Sequence, residues 1–215
     1  MTTVSPSVVI GRAWEIYKGQ FATLLAAAAL ASLVVVLATV LLGPFAGIVS
    51  LVVNMFFVGA VVRLVQDLED GRRDEELSSL FAGVAPVFWP LLAVAILAGL
   101  GIALGFVLLI VPGLILITIW AVVVPVCVLE RPGVLASFGR SRELVRGQGW
   151  SVFGTLVVTW LIAVGLAIVG ALIAAPLGDA AEAVVNWVVS ALTLPLSGLV
   201  MSVLYFRLRE APATP

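Results

Sequence analysis

Histidine is missing from the 215 residues, cysteine and lysine occur once each, at Cys127 and Lys18, and only 11% of the chain is charged. Each scarcity excludes a class of protein. Without histidine there is no Ser-His-Asp triad, no histidine-ligated metal and no histidine proton relay. A single cysteine rules out an internal disulfide and a cysteine-based zinc site. The expectation is therefore a non-enzyme with no cofactor. A soluble domain carries roughly 25% charge to solvate its surface; here there is too little polar material to cover a water-facing globule. The formal net charge of −1 implies no pull toward nucleic acid.

What the chain has in quantity is apolar sequence, 63% of it. Spanning a bilayer core of ~30 Å takes roughly 20 apolar residues, and six runs qualify: about 21–42, 45–66, 88–110, 113–129, 150–174 and 182–206. Gly43-Pro44, Pro112-Gly113 and Ala175-Pro176-Leu177-Gly178 separate the members of each pair, so each pair reads as a tight helical hairpin. The first run is too long for a signal-peptide core, and the N-terminal Met1–Pro6 is uncharged. Arg12 and Lys18 precede the first span. Arg63, Arg72 and Arg73 surround the second-to-third connection, Arg131, Arg140, Arg142 and Arg146 fill the fourth-to-fifth, and Arg207 and Arg209 follow the last. All basic residues thus fall on one side and none in the hairpin turns, which by the positive-inside rule puts both termini in the cytoplasm. Abundant Ala, Val, Leu and Gly, with Arg far outnumbering Lys, suggests a GC-rich bacterial genome and hence the cytoplasmic (inner) membrane.

The segments on the basic side are amphipathic. Ser5 can cap a helix that has Pro6 at its first position; Ile10, Ala13, Trp14 and Tyr17 share one face, Arg12, Glu15 and Lys18 another, and Gly19 ends it. In the second, Asp74 can cap, Glu75 and Glu76 suit the positive end of the helix dipole, and Leu77, Leu80, Phe81 and Val84 form the stripe. Pro132 starts the third, where Leu135, Phe138 and Val145 face inward. Such helices are expected to lie in the interface with the apolar face down. Gly19, Gly83 and Gly147 follow one another at a period of 64. Gly11–Gln20 and Gly139–Gln148 share five of ten residues. The chain reads as a single membrane domain of three repeats, about 5–66, 74–130 and 132–209, each an interfacial amphipathic helix plus a transmembrane hairpin.

Pro112-Gly113, Trp120, Pro125, Glu130, Ala136, Arg140-Ser141, Leu144, Arg146-Gly147, Trp150 and Phe153-Gly154 together form a pattern. It resembles the membrane domain found beside some glycerophosphoryl diester phosphodiesterases and in many stand-alone membrane proteins. The resemblance is sharpest over about 40 residues and implies the six-span layout. In the fused enzymes the chemistry belongs to a separate soluble barrel that uses histidines and a metal. Neither that domain nor a histidine is present here, so the resemblance implies the membrane part alone.

No ionisable residue is expected at mid-membrane depth, which lowers the case for an ion-coupled transporter. Asn54 and Asn186, with Thr118, Thr159 and Thr193, are the polar groups inside apolar stretches; they line a cavity or, more commonly for such residues, bond between helices or to helix backbone. Gly101 and Gly105 make a GxxxG pair, and Ala163, Ala167, Gly170 and Ala174 a second small-residue face. Both suit packing within the monomer, with a homodimer face as the alternative. Pro125 and Pro195 bend spans four and six. Arg12, Lys18, Arg140, Arg142 and Arg146 either hold anionic lipid headgroups or a partner membrane protein, or serve topology alone. The acidic stretch Asp67–Glu76 and the basic stretch Glu130–Arg146 are expected to meet, with Glu130 paired to an arginine of the third amphipathic helix. The expected function is a non-enzymatic, lipid- or partner-binding membrane component acting through these amphipathic helices. The alternative is a small permease or lipid-handling transporter with its pathway between repeats. A polar cavity near Asn54 or Asn186 would favour the alternative.

Overall fold

The computed structural model describes residues 5–43, 46–71, 84–176 and 178–211. Among them every regular element is helical. Helix α1 (Pro6–Gly19) leads into α2 (Phe21–Leu42) and α3 (Ala46–Glu69). A 3-10 turn at Ala85–Val87 precedes α4 (Phe88–Leu108), α5 (Ile110–Ile119) and α6 (Val123–Leu129). The chain closes with α7 (Val134–Val145), α8 (Gly149–Ala174) and α9 (Asp179–Glu210). Six stretches are long and apolar enough to cross a membrane: α2, α3 from Val49, α4, α5 with α6, α8, and α9 from Ala181. The chain is an all-α, polytopic membrane protein.

Burial divides the bundle into a packed end and a loose end. At the end carrying the basic residues, α1 contributes Val9, Ala13, Ile16 and Tyr17 to a core that also takes Phe57–Val65 positions of α3, nearly all of α6, and Leu199–Leu208 positions of α9. At the hairpin-turn end large apolar side chains face outward. Leu37, Val40 and Leu41 of α2, Leu172 and Ile173 of α8, and Val184 of α9 are all exposed. The tip of the α4–α5 hairpin, Val107 to Val111, is 63–82% exposed. In water such a surface would aggregate; in hydrocarbon a leucine beside a lipid tail loses nothing.

The second hairpin turns at Leu109, which is extended (φ −165°, ψ 154°), and not at Pro112-Gly113. Pro112 sits in the first turn of α5, where its missing N–H is no loss. Gly113 is used for close approach: a Cβ there would lie 2.6 Å from Cγ of Phe106, and one on Gly105 would lie 3.0 Å from the Gly113 Cα. Gly101 meets Trp120 and Gly170 meets Val189 in the same way. Gly101, Gly105 and Gly170 therefore pack within the monomer.

Span four is broken. Pro125 cannot donate to Ala121 and its ring clashes there, so the helix stops at Ile119 and restarts at Val123, with Val123 N–H donating to the Trp120 carbonyl at 3.1 Å. Pro125 is thus the third residue of a new helix and not a bend within one. Pro195 lies inside α9, which runs through it unbroken.

The amphipathic stripes differ in detail from the sequence expectation. On α1 the inward residues are Val9, Ala13, Ile16 and Tyr17, while Trp14 is half-exposed and stacks on Tyr17 at 5.6 Å. Helix α7 begins at Val134, after Gly133 (φ 101°), and its inward residues are Ser137, Ser141 and Val145; Leu135 points outward. The buried faces of both helices lie against the bundle, not lipid: Tyr17 Oη donates to the Leu192 carbonyl (3.3 Å), and Phe138 meets Trp120 edge-on at 4.9 Å. Protein satisfies the polar atoms on those stripes, which hydrocarbon cannot. Ser5 stands at the start of α1, but its hydroxyl bonds Ser7 and leaves the helix uncapped by a side chain. The second amphipathic segment, with Gly83 and Asp74–Glu76, lies outside the described residues. Gly147 adopts a left-handed conformation (φ 82°), which Gly19, the last residue of α1, does not.

Candidate functional site

Two kinds of feature compete for attention, a rim of charges at the packed end and clefts between the loose helices. The five basic residues singled out from sequence do not act alike. Arg12 bonds Glu69 of α3 at 3.1 Å and Glu15 at 3.5 Å. Arg140 bonds Glu130, just past α6, at 2.9 Å and Glu143 at 3.4 Å. The hydrogen bond that Arg12 donates to Glu69 chiefly, and the charge of Glu69, push the Arg12 guanidinium above its already high ordinary value; the bond Arg140 donates to Glu130 does the same there. Raised cationic values keep both arginines charged throughout the ordinary pH range. Lys18, Arg142 and Arg146 are exposed and pair with no acid among the described residues. They remain available to an anionic surface.

Of the expected meeting of acidic and basic stretches, Glu130 does pair with an arginine of α7 and Glu69 pairs with Arg12 of α1; positions 72–76 of the acidic stretch lie outside the described residues. Glu130 also accepts from Tyr205 Oη of α9 at 2.9 Å, tying α6, α7 and α9 together. Arg63, which falls within the second apolar run, lies inside α3, and that helix continues past the expected end of the run to Glu69.

Ser141 was not foreseen. The break in span four leaves the Ile119 carbonyl without its helical donor, and Ser141 Oγ supplies one at 2.9 Å from a fully buried position. Its signal was the four-residue spacing Ser137-Ser141-Val145, which marks a helix face but reads as solvated when two of three members are polar.

Among the intramembrane hydroxyls, Thr118 donates to the Leu114 carbonyl (2.7 Å), and Ser32, Thr39, Thr155, Thr159, Thr193 and Ser202 bond back to their own helices in the same way. Thr118 is thus structural. Asn54 and Asn186 differ. Both face one cleft of about 390 Å³ between α2, α3 and α9, together with Ser50, Ser190 and Trp187. No hydrogen bond accompanies either amide among the described residues, and the buried Trp187 Nε1–H lacks an acceptor. A second cleft, about 660 Å³, lies between α5, α8 and α9. Its walls are almost wholly apolar, Leu114, Ile117, Leu156 and Ala163 among them, and Trp160 and Phe106 at its edge are exposed. Ligand pockets typically measure ~300–1,000 Å³, and both clefts fall in that range. Among the described residues no group of three Asp, Glu or Cys side chains gathers as a metal site would require. No family model, curated protein or solved structure matches the chain, so the resemblance of Pro112–Phe153 to the phosphodiesterase-associated membrane domain rests on its residues alone.

Proposed function

We propose that this chain is a non-enzymatic, lipid-handling protein of the bacterial cytoplasmic membrane that takes lipid chains between its hairpins, with its packed, arginine-bearing end on the cytoplasmic side. The apolar cleft between α5, α8 and α9 carries the reading. A gap of about 660 Å³ lined by leucine, isoleucine and alanine gives an acyl chain contacts that bulk lipid, being looser, does not. The one-sided basic residues support the orientation. Among the described residues neither cleft lining holds a charged side chain, which argues against ion coupling.

The repeat reading belongs to the same proposal. Gln20 and Gln148, equivalent in the repeat, precede α2 and α8 with nearly the same backbone (φ −115°, ψ 22° and φ −121°, ψ 15°). Arg12–Glu15 and Arg140–Glu143 are matching pairs three residues apart. The second reading, contact with anionic headgroups or a partner membrane protein through α1 and α7, is favoured by the exposure of Lys18, Arg142 and Arg146. It loses support from Arg12 and Arg140, whose guanidinium groups already hold acids.

The test is lipid retention. Purified in mild detergent and examined by native mass spectrometry, the wild-type chain is expected to carry lipid. Ala163→Trp, which fills the apolar cleft, should lower the lipid carried per chain several-fold, and Arg142→Gln with Arg146→Gln should leave it unchanged. Retention that ignores the tryptophan and falls with the arginines would favour the amphipathic helices instead.

A further inference from the structure

The intramembrane serine and threonine hydroxyls described above turn back on their own helices, yet two asparagine amides, from two different helices, face one cleft without partners. An amide carries two donors and a two-lone-pair acceptor. Polar atoms left bare in hydrocarbon are unfavourable, so the occupant of this cleft must itself offer hydrogen-bonding atoms. Ser50 of α3 and Ser190 of α9 extend the polar wall, one turn from Asn54 and Asn186 respectively. Ala31, Val35 and Val36 of α2 make the opposite side apolar. By the rise of a helix, Asn186 lies about 10 Å into α9 from its start at Asp179, so the polar wall reaches from the hairpin-turn end toward the middle of the span.

We propose that the α2–α3–α9 cleft binds the uncharged, hydrogen-bonding headgroup of an amphiphile, a glycerol hydroxyl with its ester carbonyls, contacted by Asn54 and Asn186. This rests on the lipid-handling reading and names the class of lipid. Charge decides against a phosphate or carboxylate headgroup. Among the described residues no Lys or Arg lines the cleft. The hairpin turns carry no basic residue, and the nearest charges along α9 are the acids Asp179 and Glu182. A cationic headgroup fits no better, because among the described residues the lining holds no carboxylate. Hydroxyl and ester groups, donor and acceptor in one, match what two amides present. The mixed wall suits an amphiphile whose chain leaves along α2.

The experiment titrates the delipidated full chain with dioleoylglycerol and, separately, with dioleoylphosphatidic acid, reading bound lipid by native mass spectrometry. Dioleoylglycerol should bind more tightly, and Asn54→Leu with Asn186→Leu should weaken it roughly tenfold, as the loss of two modest hydrogen bonds implies. Binding of phosphatidic acid should be unaffected. Both asparagines are exposed, so leucine there opens no core defect; Asn186→Leu alone, with an unchanged elution profile, provides the check on folding and should show a smaller loss in the same direction. Dioleoylglycerol binding that is indifferent to the leucines would overturn the site, as would equal binding of the two lipids. If neither lipid binds and Ala163→Trp changes nothing, the lipid-handling reading itself fails.

Discussion

Ser141 shows how much of this fold hangs on single polar atoms. Pro125 forces span four to break, the break frees the Ile119 carbonyl, and a hydroxyl from α7 answers it at 2.9 Å. Removing a partner from a buried acceptor costs about 1–3 kcal/mol, so Ser141→Ala should lower the thermal unfolding midpoint measurably in detergent. Thr39→Val serves as the comparison: Thr39 is exposed and bonds only its own helix, and the same assay should find little change. Equal midpoints for Ser141→Ala and wild type would mean that the carbonyl finds another donor. Sequence reading recognised Asn54 and Asn186 because an amide inside an apolar run has few excuses. It passed over Ser141 because a serine on an amphipathic helix is ordinarily a surface residue, and nothing local reveals a carbonyl freed 22 positions earlier.

At the level of elements, the runs and their ends were largely legible. Length and hydropathy alone place α2, α4, α8 and α9 within a few residues, since in lipid the helix is the only open-chain solution to backbone hydrogen bonding. The turn between α4 and α5 was misplaced because proline and glycine have two readings: punctuation, or, as here, a first-turn proline and a contact glycine. The contact makes a prediction. Alanine at Gly113 brings its Cβ to 2.6 Å from Cγ of Phe106, the root of the ring, which cannot swing aside as a ring edge could. Overpacking of this kind costs about 1–3 kcal/mol. Gly99, on the same hairpin, has nothing within 4 Å of a built Cβ, so Gly99→Ala should be neutral or gain up to about 1 kcal/mol from helix propensity. Comparing the two variants by thermal unfolding separates close packing from mere glycine content; equal effects would contradict the packing account. The orientation of α1 and α7 was harder to foresee, because a stripe states which residues are hidden and not whether lipid or protein hides them.

The whole molecule has a packed end of interlocked short and long helices and hairpins whose far ends are mostly exposed. That division follows from where polar atoms lie: the basic residues, buried serines and the broken span gather at one end and need protein partners, while the hairpin tips, apart from the acids Asp179 and Glu182, carry little but apolar side chains. The clefts lie between hairpins, so the functional proposals depend on the layout. The layout is tested by scanning cysteine accessibility in a Cys127→Ala background, with single cysteines at Gly43, Leu109, Arg142 and Gly178, and a membrane-impermeant thiol reagent applied to sealed vesicles of each orientation. Six spans with all basic residues on one face require Arg142→Cys to react only from the cytoplasmic side, and the three turn positions only from the opposite side. Any turn cysteine reacting from the same side as position 142 would contradict the account.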